Sequence, residues 1–230
     1  MKNSYLFYCL VLVLASCSKN NDINSSRGED LVLTTAEQQK AEADNRFTLK
    51  LFKELGGSLR NDQNLVASPL SVSMAVTMTG NGGSGETLEG IRTAMEFNGF
   101  TEEEINSYYH KLLGKLPALD PLAKVQIANS IWYRKGFEVA APFLQTNKTN
   151  YDATIEALDF SSPAAKDKIN GWVNDKTNGK IPAIIDNIGG DDVMFLVNAI
   201  YFKSNWKYRF DIVQTAKGHF RTAGGAAVQA

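Results

Sequence analysis

The stretch TGNGGSGET, from Thr79 to Thr87, is the first segment whose residue types could do chemistry. Gly80, Gly85 and Thr87 match the pattern G-x-x-x-x-G-K-[ST], in which backbone N–H groups and one lysine hold the phosphates of a nucleotide. Glu86 occupies the position of that lysine, and its carboxylate reverses the local charge that a triphosphate needs. The segment therefore predicts a structural, glycine-rich turn between two helices.

The sequence also gives no pattern typical of metal-assisted or nucleophilic catalysis. Its two histidines, His110 and His219, lack Cys, His, Asp or Glu partners at a spacing that binds a metal ion. No G-x-S-x-G motif marks an activated serine. Both cysteines, Cys9 and Cys17, lie near the N-terminus. We predict that the protein is not an enzyme and that it holds neither a metal ion nor another cofactor.

The first 16 residues resemble the signal peptide of a bacterial lipoprotein. An apolar run over residues 5–14, too short to span a bilayer, follows Lys2 and leads into LASC, which ends at Cys17. This tetrad resembles the lipobox, in which a peptidase cleaves before the cysteine and a diacylglycerol is attached to its sulfur. We predict export and a lipid anchor at Cys17 in the bacterial cell envelope. The alternative is an ordinary secretory signal and an extracellular protein.

Composition divides the remaining chain into two parts. Residues 17–44 are polar and predict a tether, whereas residues 45–230 have the spread of apolar and aromatic residues typical of a globular domain. The net charge is −1 and there is no basic run, so we expect no nucleic-acid partner. An exported domain without a disulfide must be stabilised by packing alone.

Hydrophobic periodicity predicts an α+β fold, with helices first and long strands later. Helical spacing is found over residues 46–59, 69–79, 86–97, 101–116, 141–153 and 162–178. Strand patterns are found at residues 124–136, 154–160 and 193–206, with a short further candidate at 64–67. The long apolar run at 193–206 is typical of a central strand that is covered on both faces.

Four collinear segments resemble the serpin family. NLVASPLSVSMAVTMTGNGGSGETLEGI resembles strand 6B, helix B and the turn into helix C, and VQIANSIWYRKGF resembles strand 2A. INGWVNDKTNGKIPAII resembles helix F, and LVNAIYFKSNWKYRFD resembles strand 3A and the tryptophan beyond it. The resemblance implies the N-terminal portion of a serpin fold: helices A–F, strands 6B, 2A, 1A and 3A, and the start of sheet C.

The resemblance also implies a function, namely inhibition of serine, or cysteine, endopeptidases by a monomer. In the family, a protease cleaves an exposed reactive loop, and the cut loop inserts as a new strand between strands 3A and 5A. Sheet A must therefore open, and the residues around strand 3A are expected to control that opening.

Four residues match the parts of the family that govern sheet opening. Ser68 and Ser71 match the helix beneath the sheet, in the region called the shutter. Asn198 lies within the apolar run of strand 3A, where a buried amide without partners costs about 1–3 kcal/mol. It is either a latch for the sheet or a satisfied core amide that fixes the register. Trp206 matches the breach, where insertion begins, or is a core packing residue.

The family's strand 5A, hinge and reactive loop come later in the chain than Ala230, with which this sequence ends. We therefore expect a serpin whose C-terminal part is missing from the sequence and which cannot trap a protease as it stands. A non-inhibitory serpin-like binding protein and an inactive truncated remnant are the alternatives. The hinge that would distinguish them is absent from the sequence.

Overall fold

The computed structural model describes residues 28, 30–59, 64–206, 208–222 and 224–229. The predicted signal peptide over residues 1–16 and the predicted lipid attachment at Cys17 lie outside these ranges. Within them, none of the helices combines the length and the apolar composition needed to cross a membrane.

Six α-helices form the helical part of the described chain: α1 (Thr35–Gly57), α2 (Pro69–Gly80), α3 (Gly85–Ala94), α4 (Glu102–Lys115), α5 (Ala141–Tyr151) and α6 (Pro163–Lys176). Thr34 and Thr101 begin α1 and α4 with capping boxes, in which Glu37 and Glu104 bond back to the cap residue. The glycine-rich stretch connects α2 to α3, which confirms the predicted helix–turn–helix.

Helix α1 begins at Thr35, inside the segment 17–44 that we predicted to be a polar tether. Ala43 is fully buried and Lys40 is 2% exposed. The tether prediction is therefore wrong for residues 35–44. It failed because Lys40 is buried as an ion pair with Asp44, and a polarity pattern counts both residues as exposed.

The described strands form a three-stranded sheet and a small hairpin. Strands β1 (Lys124–Arg134), β2 (Thr154–Leu158) and β3 (Met194–Lys203) lie in the order β2-β1-β3. Strand β1 is parallel to β2 and antiparallel to β3. Strands β4 (His219–Arg221) and β5 (Ala227–Gln229) pair with each other.

One of our strand predictions is confirmed in part and another is wrong. Strand β3 is covered on both faces, as predicted, but it lies at the edge of the described sheet and β1 is its centre. This position agrees with our expectation that the family's strand 5A is missing from the sequence. Residues 64–67 have no strand pairing and form an extended connection into α2.

The sheet lies between two apolar layers that belong to different helices. On one face, α1, α2, α4 and α5 pack around Met74, Met78, Tyr109 and Ile131. On the other face, α6 packs through Ile169 and Val173 against a second cluster with Trp132 and Val197 of the sheet. Strand β3 therefore lies over α2 and beneath α6, which is where the candidate site is found.

Candidate functional site

Ser68 and Ser71 lie in the first turn of the helix beneath the sheet. The hydroxyl of Ser68 accepts a hydrogen bond from the backbone N–H of Ser71 at 3.3 Å, and Pro69 follows as the first helical residue. Ser68 is exposed and Ser71 is half-buried. In the described structure neither serine is a hydrogen-bond partner of Asn198. The two predicted shutter serines are therefore bonded to each other at the start of α2, and neither is bonded to Asn198.

Asn198 instead pairs with an asparagine on the neighbouring strand. Asn129 lies directly opposite it in the antiparallel register. The Asn198 Nδ2 donates to Asn129 Oδ1 at 2.7 Å and lies 3.6 Å from the sulfur of Met74 in α2. Asn129, which is 1% exposed, donates its own Nδ2 to the backbone carbonyl of Tyr151 at 2.8 Å. Two side-chain amides thus join β3, β1 and the end of α5.

Asn129 is a functional candidate that sequence reasoning missed. A signal for it was present, because Asn129 falls between Ile127 and Ile131 on the face of β1 that alternation predicts to be apolar. A polar residue on such a face needs a partner. That partner, Asn198, is far along the chain, so only the strand register identifies it.

The side-chain oxygen of Asn198 is an unused hydrogen-bond acceptor. This atom, Oδ1, is buried and accepts no hydrogen bond within the described residues. On the side of β3 away from β1, no other strand pairs with it in the described part of the chain. An unpaired buried acceptor costs about 1–3 kcal/mol. One of our two interpretations was a core amide with all its hydrogen bonds made. Asn198 meets it only in part, because its Nδ2 has a partner and its Oδ1 has none among the described residues.

The amide pair continues into a buried polar network at the helix ends. The hydroxyl of Tyr151 donates to Asn106 in α4 at 2.8 Å, and Asn81, which caps α2, donates to Asn106 and to Asn147. Burial raises the pKa of the Tyr151 phenol well above its ordinary value, so it stays a donor at physiological pH. The side-chain amide of Asn147 in turn donates a hydrogen bond to the backbone carbonyl of Met78, near the end of α2. Hydrogen bonds between polar groups therefore connect the sheet to the helices.

Trp206 lies apart from this site. It follows the end of β3, and its side chain is 76% exposed, so the core-packing alternative is wrong for the described structure. Tyr208 and Phe210 beside it are also exposed. The role of Trp206 in the breach stays a prediction.

The two histidines are exposed. His110 lies on α4 and His219 on the short strand β4. Among the described residues no group of three or more His, Cys, Asp or Glu side chains could hold a metal ion.

Comparison with known proteins assigns the family. A family model described as "Serpin (serine protease inhibitor)" matches residues 42–230, so the chain belongs to the serpin family. A Mus musculus protein named as a serine protease inhibitor is 33% identical over 184 residues, which is 78% of this chain and 44% of the relative. Serpin A12 of Rattus norvegicus is 32% identical, over 80% of this chain and 44% of its own length. This chain spans about half the length of the curated relatives it matches.

Solved structures agree with this assignment. The native state of the thermophilic serpin Tengpin has a TM-score of 0.72 at 31% identity and covers 88% of this chain, which spans 50% of that structure. Cleaved human thyroxine-binding globulin has a TM-score of 0.77 at 28% identity, covering 84% and 58% of the two chains. The predicted α+β serpin fold is confirmed. The prediction that the protein is not an enzyme is also confirmed, because its family and relatives are named as protease inhibitors.

Proposed function

We infer that the full-length form of this protein inhibits serine, or cysteine, endopeptidases by inserting its cleaved reactive loop into the sheet that contains β3. The observation that carries this proposal is the membership of residues 42–230 in the serpin family. The site adds support, because the side chains of Asn129 and Asn198 join β1 to β3 and leave the buried Oδ1 of Asn198 without a partner among the described residues. A strand added beside β3 would gain main-chain hydrogen bonds, which supply much of the binding energy of strand addition.

The test is covalent trapping of a protease by the full-length protein. We expect an SDS-resistant complex with at least one of trypsin, elastase and subtilisin, and no complex when the protease serine has first been blocked with a sulfonyl fluoride. A chain of these 230 residues should form no complex with any of the three. Cleavage of the full-length protein by every protease tested, without a stable adduct, would contradict the inhibitory role.

The proposed location is the bacterial envelope, with a lipid on Cys17 as the anchor. An inhibitor held there could protect neighbouring surface proteins from proteases in the surroundings. Replacing Cys17 with serine should move the protein from the membrane fraction to the soluble fraction. Continued sedimentation of the variant with the envelope would contradict the anchor and would leave the inhibitory proposal untouched.

A non-inhibitory binding role is the second candidate. It is favoured by the likeness to a protein named thyroxine-binding globulin, at 28% identity and a TM-score of 0.77. This role would be supported if the full-length protein formed no trapped complex and yet rose in melting temperature after cleavage of its exposed loop. Such a result would show that the cleaved loop inserts into the sheet although the protein does not trap a protease.

A further inference from the structure

Lys40 is the one charged side chain among the fully buried residues that the structure describes, with 2% of its surface exposed. Its Nζ donates to Asp44 at 2.7 Å and to the hydroxyl of Tyr109 at 3.1 Å. Three aromatic rings surround the same nitrogen, at centroid distances of 3.7 Å (Phe97), 4.5 Å (Tyr109) and 5.0 Å (Tyr108). The amine is therefore paired with a carboxylate and a hydroxyl and lies against aromatic rings.

The surroundings of Lys40 change its charge state. Burial lowers the pKa of its amine to about 8, although the adjacent carboxylate of Asp44 acts in the opposite direction. At pH 7.5 about a quarter of such an amine is neutral, against about one in a thousand for an ordinary lysine. Burial raises the pKa values of Tyr108 and Tyr109, so these phenols stay neutral over the same range. The nucleophilic form of lysine is therefore enriched at this position.

A cavity of about 460 Å³ reaches this lysine from the surface. It lies between the first turns of α1 and the N-terminal half of α4, and Lys40, Phe100 and Tyr108 are part of its wall. The cavity is large enough for a single-ring organic molecule, and its aromatic wall favours a flat one.

We propose that Lys40 is a covalent binding site, where its amine forms an imine with a small, uncharged or cationic aromatic aldehyde that enters this cavity. The Nζ lone pair attacks the carbonyl carbon, the carbonyl oxygen leaves as water, and one proton from solvent converts the imine to an iminium ion. The iminium keeps the positive charge that Asp44 and the three rings already stabilise. No oxidant or reductant is consumed in this step.

The charge of the cavity selects among aldehydes. Glu37, Glu103 and Glu104 line it. The hydrogen bond from Lys111 lowers the pKa of Glu37, and the backbone N–H of Thr101 lowers that of Glu104, so both are ionised at neutral pH. An aldehyde that carries a phosphate is therefore expected to enter poorly, since like charges repel it.

A matched pair of probes tests both parts of the proposal. Pyridoxal and pyridoxal 5′-phosphate share a ring and an aldehyde position and differ in one phosphate. Because free pyridoxal is largely closed to its internal hemiacetal, the two probes are compared by the ratio of Lys40 to Lys50 modification that each gives. The full-length protein is treated with each aldehyde at pH 7.5. The imines are reduced with cyanoborohydride, and the modified lysines are mapped by peptide mass spectrometry. Lys50 of the same helix, whose side chain is 64% exposed, is the internal reference.

We expect pyridoxal to modify Lys40 at least about 10-fold faster than Lys50, and this ratio to fall as the pH is raised to 10, where ordinary lysines also lose their protons. The Lys40:Lys50 ratio should be several-fold lower with pyridoxal 5′-phosphate than with pyridoxal, and Lys40→Arg should remove the fast phase. Modification of Lys40 no faster than that of Lys50, or only in guanidinium, would overturn the proposal. Equal Lys40:Lys50 ratios with the two probes would overturn the entry route through the cavity. The comparison within the unmutated protein does not depend on how the variant folds.

Discussion

At the scale of single residues, the side-chain amide of Asn129 stabilises the sheet through two buried hydrogen bonds. It accepts from Asn198 and donates to the carbonyl of Tyr151. Replacement with alanine leaves both of these groups without their partner in a buried site, so Asn129→Ala is expected to lower the free energy of unfolding by about 2 kcal/mol. The unfolding midpoint of the full-length protein measures this change. Asn187→Ala, at an exposed asparagine, is the control, and an equal effect of the two substitutions would contradict the role of the pair.

Lys40 makes stability depend on pH in an unusual direction. Its pKa is lower in the folded state, about 8, than in the unfolded chain, at 10.5. Between these values the unfolded state binds more protons, so the free energy of unfolding must rise with pH. We expect this residue to contribute a gain of about 1–2 kcal/mol between pH 8 and 9.5. Chemical denaturation across this range, compared with Lys40→Met, measures it. A gain of equal size in the variant would assign the effect to other groups.

At the scale of elements, the glycine-rich turn between α2 and α3 is held by a close approach of a side chain. A Cβ atom built on Gly82 would lie 2.9 Å from the ring of Phe143, whereas one on Gly90, within α3, would meet nothing within 4 Å. Gly82→Ala is therefore expected to destabilise by about 1–3 kcal/mol. Gly90→Ala should stabilise by about 0.5–1 kcal/mol, because alanine has the higher helix propensity. Thermal unfolding of both variants tests the structural interpretation of the turn, and equal effects would contradict it.

The same elements show how much of this fold could be predicted from the sequence. Local signals were sufficient for α2, where Ser68 caps a helix whose first residue is Pro69, and for α4, with its capping box. They failed where the decisive partner is distant in the sequence. In the N-terminal half of α1, Lys40 is buried because it bonds to Asp44 and Tyr109. Asn129 is recognised as a site residue only through the register with Asn198. The edge position of β3 depends on neighbours that its own residues do not encode.

At the scale of the whole molecule, the described part exposes two surfaces that favour self-association. One is the unpaired edge of β3, where Phe202 is 68% exposed. The other is the segment after β3, in which Trp206, Tyr208 and Phe210 are 76%, 81% and 83% exposed. Open strand edges and contiguous apolar surface both promote association between chains. A full-length serpin is expected to cover both surfaces, because the insertion mechanism requires a strand on the far side of the opening.

Light scattering of the 230-residue chain and of the full-length protein, at equal concentrations, tests this argument. The 230-residue chain should form oligomers larger than its 25.3 kDa, and the full-length protein should be a monomer. Phe202→Lys places a charge at the strand edge and should reduce association of the short chain, because an edge lysine opposes further strand pairing. The same substitution at Phe137, which is 43% exposed and outside the sheet, should reduce it less. A monodisperse 230-residue monomer would mean that the open edge of β3 does not recruit another strand, and it would contradict the argument that these two surfaces drive association.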